Sequence, residues 1–162
     1  MNNPSVRPAE DVETIIERYG DLLYRLCILM LKNESDAEDA IQETMIQYYR
    51  KAPAFENTEH EKAWLIRVAT NKCRDILRFR KRHPQLDDEG ASEPAYNPSD
   101  SGILEALTAL PEKYRLVLTL YYIEEYRIEE IAKMINRTPS AVKMRLQKGR
   151  KLLETRYREE YL

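Results

Sequence analysis

The chain contains few of the residue types that build catalytic, redox or metal sites. It has two cysteines and two histidines, which show no spacing typical of a zinc site. The four glycines form no phosphate-binding loop, and the carboxylates follow the spacing of solvated helix surfaces. We therefore expect no catalytic site, no cofactor and no bound metal. Cys27 and Cys73 lie within apolar helical patterns and should be small core residues, with a redox pair as the less favoured alternative.

Long hydrophobic runs are also missing. The most apolar run, from Leu22 to Leu31, contains Arg25 and is too short to cross a bilayer. The N-terminal residues are polar and lack the apolar segment of a signal peptide. We expect a cytoplasmic protein that does not insert into membranes.

The formal net charge is only −2, yet charges of opposite sign are concentrated in different segments. The stretch 62–83 carries eight Lys or Arg side chains against the single acid Asp75, whereas acids cluster at 34–43. Residues 87–105 include acids but no Lys or Arg. This segregation indicates a protein that meets nucleic acid on some faces and a different partner on another.

Apolar residues recur at helical spacing along most of the chain, and no alternating strand pattern stands out. We predict an all-α fold of two small helical domains, 10–83 and 103–160, joined by a flexible acidic linker at 84–102. In the first domain, helices are expected at about 12–32, 36–50 and 61–82. The residues expected to be buried in the first helix are Ile15, Ile16, Tyr19, Leu22, Leu23, Leu26 and Met30.

The most informative stretch, YRIEEIAKMINRTPSAVKMRLQKGRKLL, begins at Tyr126 and indicates two short helices around a tight turn. Ala132 is small where two helices must cross closely, and Asn136 tolerates the left-handed conformation that such a turn needs. Thr138 can cap the second helix, with Pro139 at its first position. The pattern predicts a helix-turn-helix, a unit that reads the DNA major groove with its second helix.

The second helix of this unit is basic on the face opposite Val142 and Leu146. Side chains near its N-terminal half can reach base edges, whereas arginines around them suit phosphates. The predicted base-contacting residues are Ser140, Lys143, Met144 and Gln147, and the predicted phosphate-contacting residues are Arg137, Arg145 and Arg150. The alternative is a solvated basic helix on an ordinary bundle.

A second basic stretch runs from Ala63 to Arg82, AWLIRVATNKCRDILRFRKR. Its polar residues recur every three or four positions and share one helix face, with aromatic side chains at its head. The face comprises Arg67, Asn71, Arg74, Arg78 and Lys81, and the aromatic group comprises Trp64 with Phe55 and His60 in the preceding loop. Such a surface suits single-stranded nucleic acid with an unstacked base. The alternative is a surface helix whose Trp64 belongs to the core.

The acidic stretch DAEDAIQETMIQYYRK is expected to form a helix with Ile41, Met45 and Tyr48 inward. Its outward face would combine carboxylates with one apolar side chain, which suits protein docking. The residues of this face are Asp39, Gln42, Glu43 and Ile46. A solvated acidic face is the alternative.

These three motifs, in this order, resemble an extracytoplasmic-function (ECF) sigma factor, the minimal kind that keeps two helical domains. The acidic helix is similar to the family's core-polymerase-binding helix. The stretch from Ala63 to Arg82 resembles its −10 recognition and melting helix, and the chain from Leu110 onward resembles its −35-reading domain. The chain departs from the family pattern at Glu125 and Asn136, near which the family often has glycine.

The resemblance implies a bacterial RNA polymerase sigma factor rather than an enzyme, which directs core polymerase to specific promoters and assists DNA melting. Capture of an unstacked base would shift the duplex toward the open state without nucleotide hydrolysis. An inhibitory anti-sigma partner is also implied. The residues implied to bind core polymerase are Asp36, Asp39, Gln42, Glu43 and Ile46. The −10 residues would be Phe55, His60, Trp64, Arg67, Asn71, Arg74, Arg78 and Lys81, and Lys148 would join Ser140, Lys143, Met144 and Gln147 near the −35 bases.

Two other classes of function stay open from the residues themselves. A stand-alone helix-turn-helix repressor or activator would explain the C-terminal half but would leave the arginine-rich helix and the acidic face without a role. A protein-interaction adaptor would explain neither basic face. Under the sigma-factor interpretation, we hypothesise that acids of the linker occupy the basic RNA path of the polymerase. These acids are Asp87, Asp88, Glu89, Glu93 and Asp100.

Overall fold

The structure, a computed structural model, describes residues 9–84 and 102–161. Within these ranges the chain is helical and contains no β-strand, and it forms two compact units. The all-α, two-unit fold predicted from the sequence is therefore confirmed. The linker predicted at 84–102 lies outside the described residues apart from its two ends, and so do the five acids proposed to occupy the RNA path.

Over residues 9–84 the first unit is built from three helices, each of which packs against the other two. Helix α1 spans Ala9–Leu31, α2 spans Glu34–Lys51 and α3 spans Thr58–Arg82. Asparagine side chains cap α2 and α3: the Asn33 Oδ1 accepts from the Asp36 N–H at 2.9 Å, and the Asn57 Oδ1 accepts from the His60 N–H at 2.8 Å. Acidic residues also occupy the first turn of both helices, where they interact favourably with the helix dipole.

The core of the first unit contains apolar side chains from all three helices. Its largest fully buried members are Leu23, Leu26, Met30, Leu31, Tyr48, Leu65 and Ile66. Cys27 and Cys73 are fully buried, as expected for small core residues. The prediction for Ile16 is wrong, because its side chain is 47% exposed. Ile15 and Tyr19 are buried on the face of α1 that packs against the other two helices, and Ile16 lies about one quarter turn away from that face.

In the described part of the second unit, residues 102–161, the chain forms four helices. Helix α4 spans Gly102–Thr108, α5 spans Glu112–Leu118 and continues as a π-helical turn over Thr119–Ile123, α6 spans Ile128–Ile135 and α7 spans Pro139–Tyr161. Helix α7 packs against α4, α5 and α6. The sequence predicted a short second helix in the helix-turn-helix, but α7 continues through Tyr161 because no glycine in a left-handed conformation or proline ends it.

Two close contacts hold the helices of the second unit together. A Cβ atom at Gly149 would lie 3.1 Å from the Leu118 Cδ1 and 3.3 Å from the Tyr114 Cβ, so α7 crosses α5 at a point where only glycine fits without adjustment. Arg115 is buried, and its guanidinium donates to the Thr108 carbonyl at 3.0 Å and the Leu110 carbonyl at 2.9 Å. It thereby satisfies carbonyls that the end of α4 leaves without helical partners.

The local features predicted for the helix-turn-helix are confirmed. Asn136 ends α6 in the left-handed conformation, with φ 56° and ψ 52°. Thr138 accepts a hydrogen bond from the Ala141 N–H at 3.1 Å, and Pro139 is the first residue of α7. Ala132 is 4% exposed on α6, which packs against α7.

Candidate functional site

The acidic face predicted on α2 lies outside the three-helix core. Asp39 and Gln42 are exposed, and the Ile46 side chain is 44% exposed. Glu43 is half-buried, with its carboxylate 4.0 Å from the Lys72 Nζ of α3. The four residues therefore form one surface that carries negative charge and a single large apolar side chain.

Asp36 has a different environment from the rest of this group. Its carboxylate accepts hydrogen bonds from the Nε of Arg80 at 2.9 Å and from a second nitrogen of the same guanidinium. Arg80 also donates to the Leu31 carbonyl at 2.9 Å. The Arg80 guanidinium therefore links the end of α3 to the start of α2 and to the end of α1, a structural contact that the sequence did not predict.

The aromatic residues expected at the head of α3 form one cluster with Tyr48. The Phe55 ring lies 6.2 Å from Tyr48 and 5.8 Å from Trp64, and the His60 ring meets Phe55 edge-on at 5.3 Å. The prediction that His60 lies in the preceding loop is wrong. The Asn57 cap starts α3 at Thr58, so His60 belongs to the first helical turn, where its Nδ1 accepts from the Glu56 N–H at 3.3 Å.

A shallow pocket beside this cluster is lined by Phe55, Asn57, Thr58 and Glu61. It combines an aromatic ring, an amide, a hydroxyl and a carboxylate within one loop and one helical turn. Flat rings with hydrogen-bonding edges match such a lining, because a nucleobase can stack on the phenyl group and bond to the polar side chains.

Sequence reasoning missed Glu61, which is 9% exposed and connects the three helices. Its Oε2 accepts from the Tyr48 hydroxyl at 2.8 Å, and its Oε1 accepts from the Tyr19 hydroxyl at 3.1 Å and the Arg18 guanidinium at 3.4 Å. Desolvation raises the pKa of Tyr19; hydrogen bonding to Arg18 lowers it, and contact with Glu61 raises it further. A signal was present, since Glu61 precedes the fully buried Leu65 by one helical turn.

The basic face predicted on α3 lies largely in solvent. Arg67, Asn71, Arg78 and Lys81 are exposed, and Arg74 is half-buried. The Arg78 guanidinium lies 3.5 Å from the Asp75 carboxylate, an exposed pair that contributes little to stability. The face is thus a row of cations along one side of α3 that begins beside the aromatic cluster.

Helix α7 presents the predicted base-contacting residues to solvent. Ser140, Lys143, Met144 and Gln147 are exposed, and the Met144 side chain is 69% exposed. Val142 and Leu146 lie on the opposite side and are 0% and 1% exposed. The structure therefore places the four residues together on the outward face of the helix.

The predicted phosphate-contacting residues have different environments. Arg137 is exposed in the turn before α7, and Arg145 is half-buried. Arg150 donates a hydrogen bond from its Nη1 to the Tyr122 hydroxyl at 2.9 Å. The Lys148 Nζ lies 5.9 Å from the centre of the Tyr114 ring. Desolvation raises the pKa of Tyr114, but hydrogen bonding and charge from Lys148 and Lys113 outweigh it and lower that pKa below its ordinary value.

Within residues 9–84 and 102–161, no group of three or more His, Cys, Asp or Glu side chains is arranged to hold a metal ion. The same part of the chain contains no helix with the length and apolarity needed to cross a membrane.

Comparison with known proteins gives a family for both units. Residues 15–83 match the Sigma-70 region 2 family, and residues 101–153 match the Sigma-70 region 4 family. The chain is 32% identical to the ECF RNA polymerase sigma factor SigW of Bacillus subtilis, over 90% of the chain and 88% of that protein. It is 30% identical to the RNA polymerase sigma factor SigV of the same species, over 92% of each protein.

Two solved structures share the fold. The sigma factor RpoE, in its complex with the anti-sigma factor NepR from Bartonella quintana, matches with a TM-score of 0.73 at 23% identity, over 91% of this chain and 97% of that one. CnrH, in complex with the cytosolic domain of CnrY, matches with a TM-score of 0.67 at 23% identity, over 91% of this chain and 88% of that one. With both regions matched in order and two relatives at 30% identity or more, the chain belongs to the ECF RNA polymerase sigma factors, which direct transcription from promoters.

Proposed function

We propose that this chain directs core RNA polymerase to specific promoters through three separate surfaces, two of them on a domain at 10–83 and one on a domain at 103–160. The observation that carries the proposal is the distribution of charge over the outward helix faces. The exposed face of α2 is acidic, whereas the exposed faces of α3 and α7 are basic. Each surface therefore suits a partner of opposite charge.

The acidic face of α2 docks on core polymerase through Asp39, Gln42, Glu43 and Ile46. An apolar side chain surrounded by charged and amide groups matches the usual composition of a protein interface, with an apolar centre and a polar rim. Asp36 contributes at most its remaining acceptor capacity, because Arg80 already donates to one of its oxygens in the free chain. The proposal therefore places Asp36 at the border of the docking surface.

The basic face of α3 and the adjacent aromatic cluster bind the −10 non-template strand. Arg67, Asn71, Arg78 and Lys81 follow the phosphates, with Arg74 beside them, and the pocket at Phe55 receives one unstacked base. Trp64 and His60 pack around the Phe55 ring and hold it in place. Because the pocket accepts the base only after it has left the duplex, binding favours the open state.

The outward face of α7 binds the −35 duplex. Ser140, Lys143, Met144 and Gln147 face the base edges together with Lys148, whereas Arg137, Arg145 and Arg150 neutralise phosphates on either side. Helix α6 crosses behind α7 and supports this orientation, as expected of a helix-turn-helix.

The other parts of the proposal follow from the family. The chain catalyses no reaction of its own and acts in the cytoplasm, where polymerase and promoters are present. We also propose an inhibitory anti-sigma partner, since RpoE and CnrH were each solved in complex with another protein, NepR for RpoE and the cytosolic domain of CnrY for CnrH.

Reconstitution with purified core polymerase tests the docking surface. The double variant Asp39→Lys/Glu43→Lys should reduce the affinity for core polymerase by about tenfold or more, since reversed charges at an interface are repulsive. Glu17→Lys is the control, because Glu17 is exposed on α1 and is not one of the residues of the α2 docking face. Equal binding by the double variant and the control would refute this docking surface.

Promoter opening tests the −10 surface. Phe55→Ala should leave core binding unchanged and reduce the fraction of open complex, measured by the reactivity of unpaired thymines in the −10 strand. On a promoter duplex already unpaired at −10, Phe55→Ala and Arg67→Ala should both bind more weakly than the wild type, because the stacked base and the phosphate are both contacted in the open state. Only Arg67→Ala should also reduce the salt dependence of binding. If Phe55→Ala opens promoters as well as the wild type, the pocket does not capture a base.

A further inference from the structure

Tyr122 is a large aromatic residue that belongs to none of the sequence motifs described above. It lies in the π-helical turn that follows α5, and its side chain is 53% exposed. The Tyr121 ring meets it edge-on, with ring centres 4.9 Å apart and planes at 80°. A π-helical turn changes the direction of the side chains it carries and is frequent at functional sites.

The Tyr122 hydroxyl contacts α7 on the border of its DNA-facing surface. It accepts a hydrogen bond from Arg150 Nη1 at 2.9 Å, between residues 28 positions apart in the chain. Arg150 follows Lys143 by seven residues, so both side chains lie on the same stripe of α7. The pair therefore stands beside the base-contacting residues and on the same helix side.

The chemistry of this contact leaves two sets of donors available. Because the phenol oxygen accepts from Arg150, its own proton must be donated to a different acceptor. The guanidinium keeps further N–H groups, which are well suited to a planar, bidentate contact with phosphate oxygens. The contact also restricts the rotamers of a long side chain, which lowers the entropy lost when that side chain binds.

We propose that Tyr122 and Arg150 form a two-residue clamp for a single backbone phosphate of the −35 duplex, with Tyr122 as a DNA-contacting residue. The clamp rests on the proposed function of α7. Arg150 supplies the charge and Tyr122 supplies a neutral hydrogen bond while it orients the guanidinium. A phosphate contact fixes the register of the recognition helix, so the clamp determines which base pairs Lys143 and Gln147 reach.

The substitution Tyr122→Phe removes only the hydroxyl and should preserve the fold, because the side chain is exposed. We expect binding of the promoter to weaken by roughly three- to tenfold, the loss of about one hydrogen bond and of the orientation it provides. Tyr121→Phe is the matched control, since it removes the neighbouring hydroxyl and keeps the ring contact; it should bind as the wild type does.

The experiment uses holoenzyme reconstituted from the full chain and core polymerase. The probe is a promoter duplex that the wild-type holoenzyme selects from a library randomised in the −35 element. Arg150→Ala should lower the slope of log affinity against log salt by about one, whereas Tyr122→Phe should leave that slope unchanged. The affinity of the double variant should lie within about twofold of the affinity of Arg150→Ala, since the two residues act as a unit.

Replacing one phosphate at a time by an uncharged methylphosphonate identifies the contact. When the contacted phosphate is the one replaced, Tyr122→Phe and Arg150→Ala should both bind as tightly as the wild type, and this should happen at the same position for both variants. Equal binding by Tyr122→Phe and the wild type would overturn the clamp, and so would penalties that disappear at different phosphates. If the wild-type holoenzyme selects no −35 sequence at all, the proposed function of α7 is wrong and the clamp with it.

Discussion

The buried carboxylate of Glu61 offers a sharp test of how the first unit is held together. Glu61 accepts hydrogen bonds from Tyr48 at 2.8 Å, from Tyr19 at 3.1 Å and from Arg18 at 3.4 Å, and so connects all three helices. The substitution Glu61→Gln preserves the size of the side chain but replaces one acceptor oxygen with an amide donor. The Tyr19 hydroxyl can then turn to the Thr58 carbonyl, which lies 3.3 Å away, but its hydrogen bond to a charged acceptor is lost.

The expected cost follows from these contacts. A hydrogen bond to a charged group contributes about 1.5–3 kcal/mol, and a buried group that loses its partner adds a desolvation penalty. The Arg18 side chain is 50% exposed, so its ion pair adds little. We expect Glu61→Gln to lower the free energy of unfolding by about 1.5–2 kcal/mol. For Glu61→Ala we expect about 3–4 kcal/mol, a large part of the ~5–15 kcal/mol typical of a folded domain.

The assay uses the single tryptophan of the chain. Trp64 packs against Tyr48 and Phe55, so its fluorescence follows unfolding of the first unit alone, whereas far-ultraviolet circular dichroism follows both units. Glu61→Gln should move the urea midpoint of the fluorescence transition down by about 1 M, given a slope of ~1.5 kcal/mol per molar. The unfolding transition of the second unit, followed by circular dichroism, should keep its original midpoint.

Glu59→Gln is the control for this measurement. It makes the same chemical change in the same helical turn, but Glu59 is exposed, so a shift below about 0.5 kcal/mol is expected. If Glu61→Gln and Glu59→Gln shift the midpoint equally, the buried hydrogen bonds do not stabilise the first unit, and the explanation of its packing is wrong.

Three further predictions concern other parts of the molecule. Burial, with a smaller contribution from Glu61, raises the pKa of Tyr19 above its value in the unfolded chain, so the stability this group contributes is present below about pH 10 and is lost as the pH rises through the folded pKa. Between pH 8 and 11, the urea midpoint of the wild type, measured by fluorescence, should therefore fall more steeply with pH than that of Tyr19→Phe, and equal slopes would contradict this role of Tyr19. Gly149→Val should lower the stability of the second unit by about 2 kcal/mol, because its side chain would overlap Leu118 and Tyr114, and an unchanged circular dichroism midpoint would show that the helices separate easily. Glu125 has a φ of 59°, a conformation that costs a non-glycine residue about 1 kcal/mol, so Glu125→Gly should raise the stability of the second unit by ~0.5 kcal/mol after the entropy of glycine is counted, whereas a lowered midpoint in the same assay would contradict the strain.

The helices could be predicted from the sequence because their apolar residues follow a regular period. The turn of the helix-turn-helix was predictable for a separate reason: Asn136, Thr138 and Pro139 each have a strong local preference that the structure satisfies. Helix α3 begins at Thr58, three residues before the predicted start at about residue 61, because the Asn57 side chain caps it. Local chemistry therefore determines where these elements begin and end.

Residues whose role depends on contacts between helices were harder to predict. Glu61 and Arg115 are charged residues on buried helix faces, and periodicity marks those faces without showing which partners neutralise the charge. Arg80 is one of the eight Lys or Arg residues of the stretch 62–83, yet it pairs with Asp36. Tyr122 lies in a π-helical turn, which no simple residue pattern predicts, and it pairs with Arg150. In each case the deciding contact joins residues of different structural elements.

The most direct test of the central claim is run-off transcription with purified core polymerase, this chain and a pool of bacterial DNA fragments. We expect transcripts that start downstream of one shared two-part sequence. A substitution at Lys143 or Gln147 should change which −35 sequences are used, without changing binding to core polymerase. If the chain produced no starts beyond those of core polymerase alone, or starts with no sequence in common, it would not direct polymerase to specific promoters.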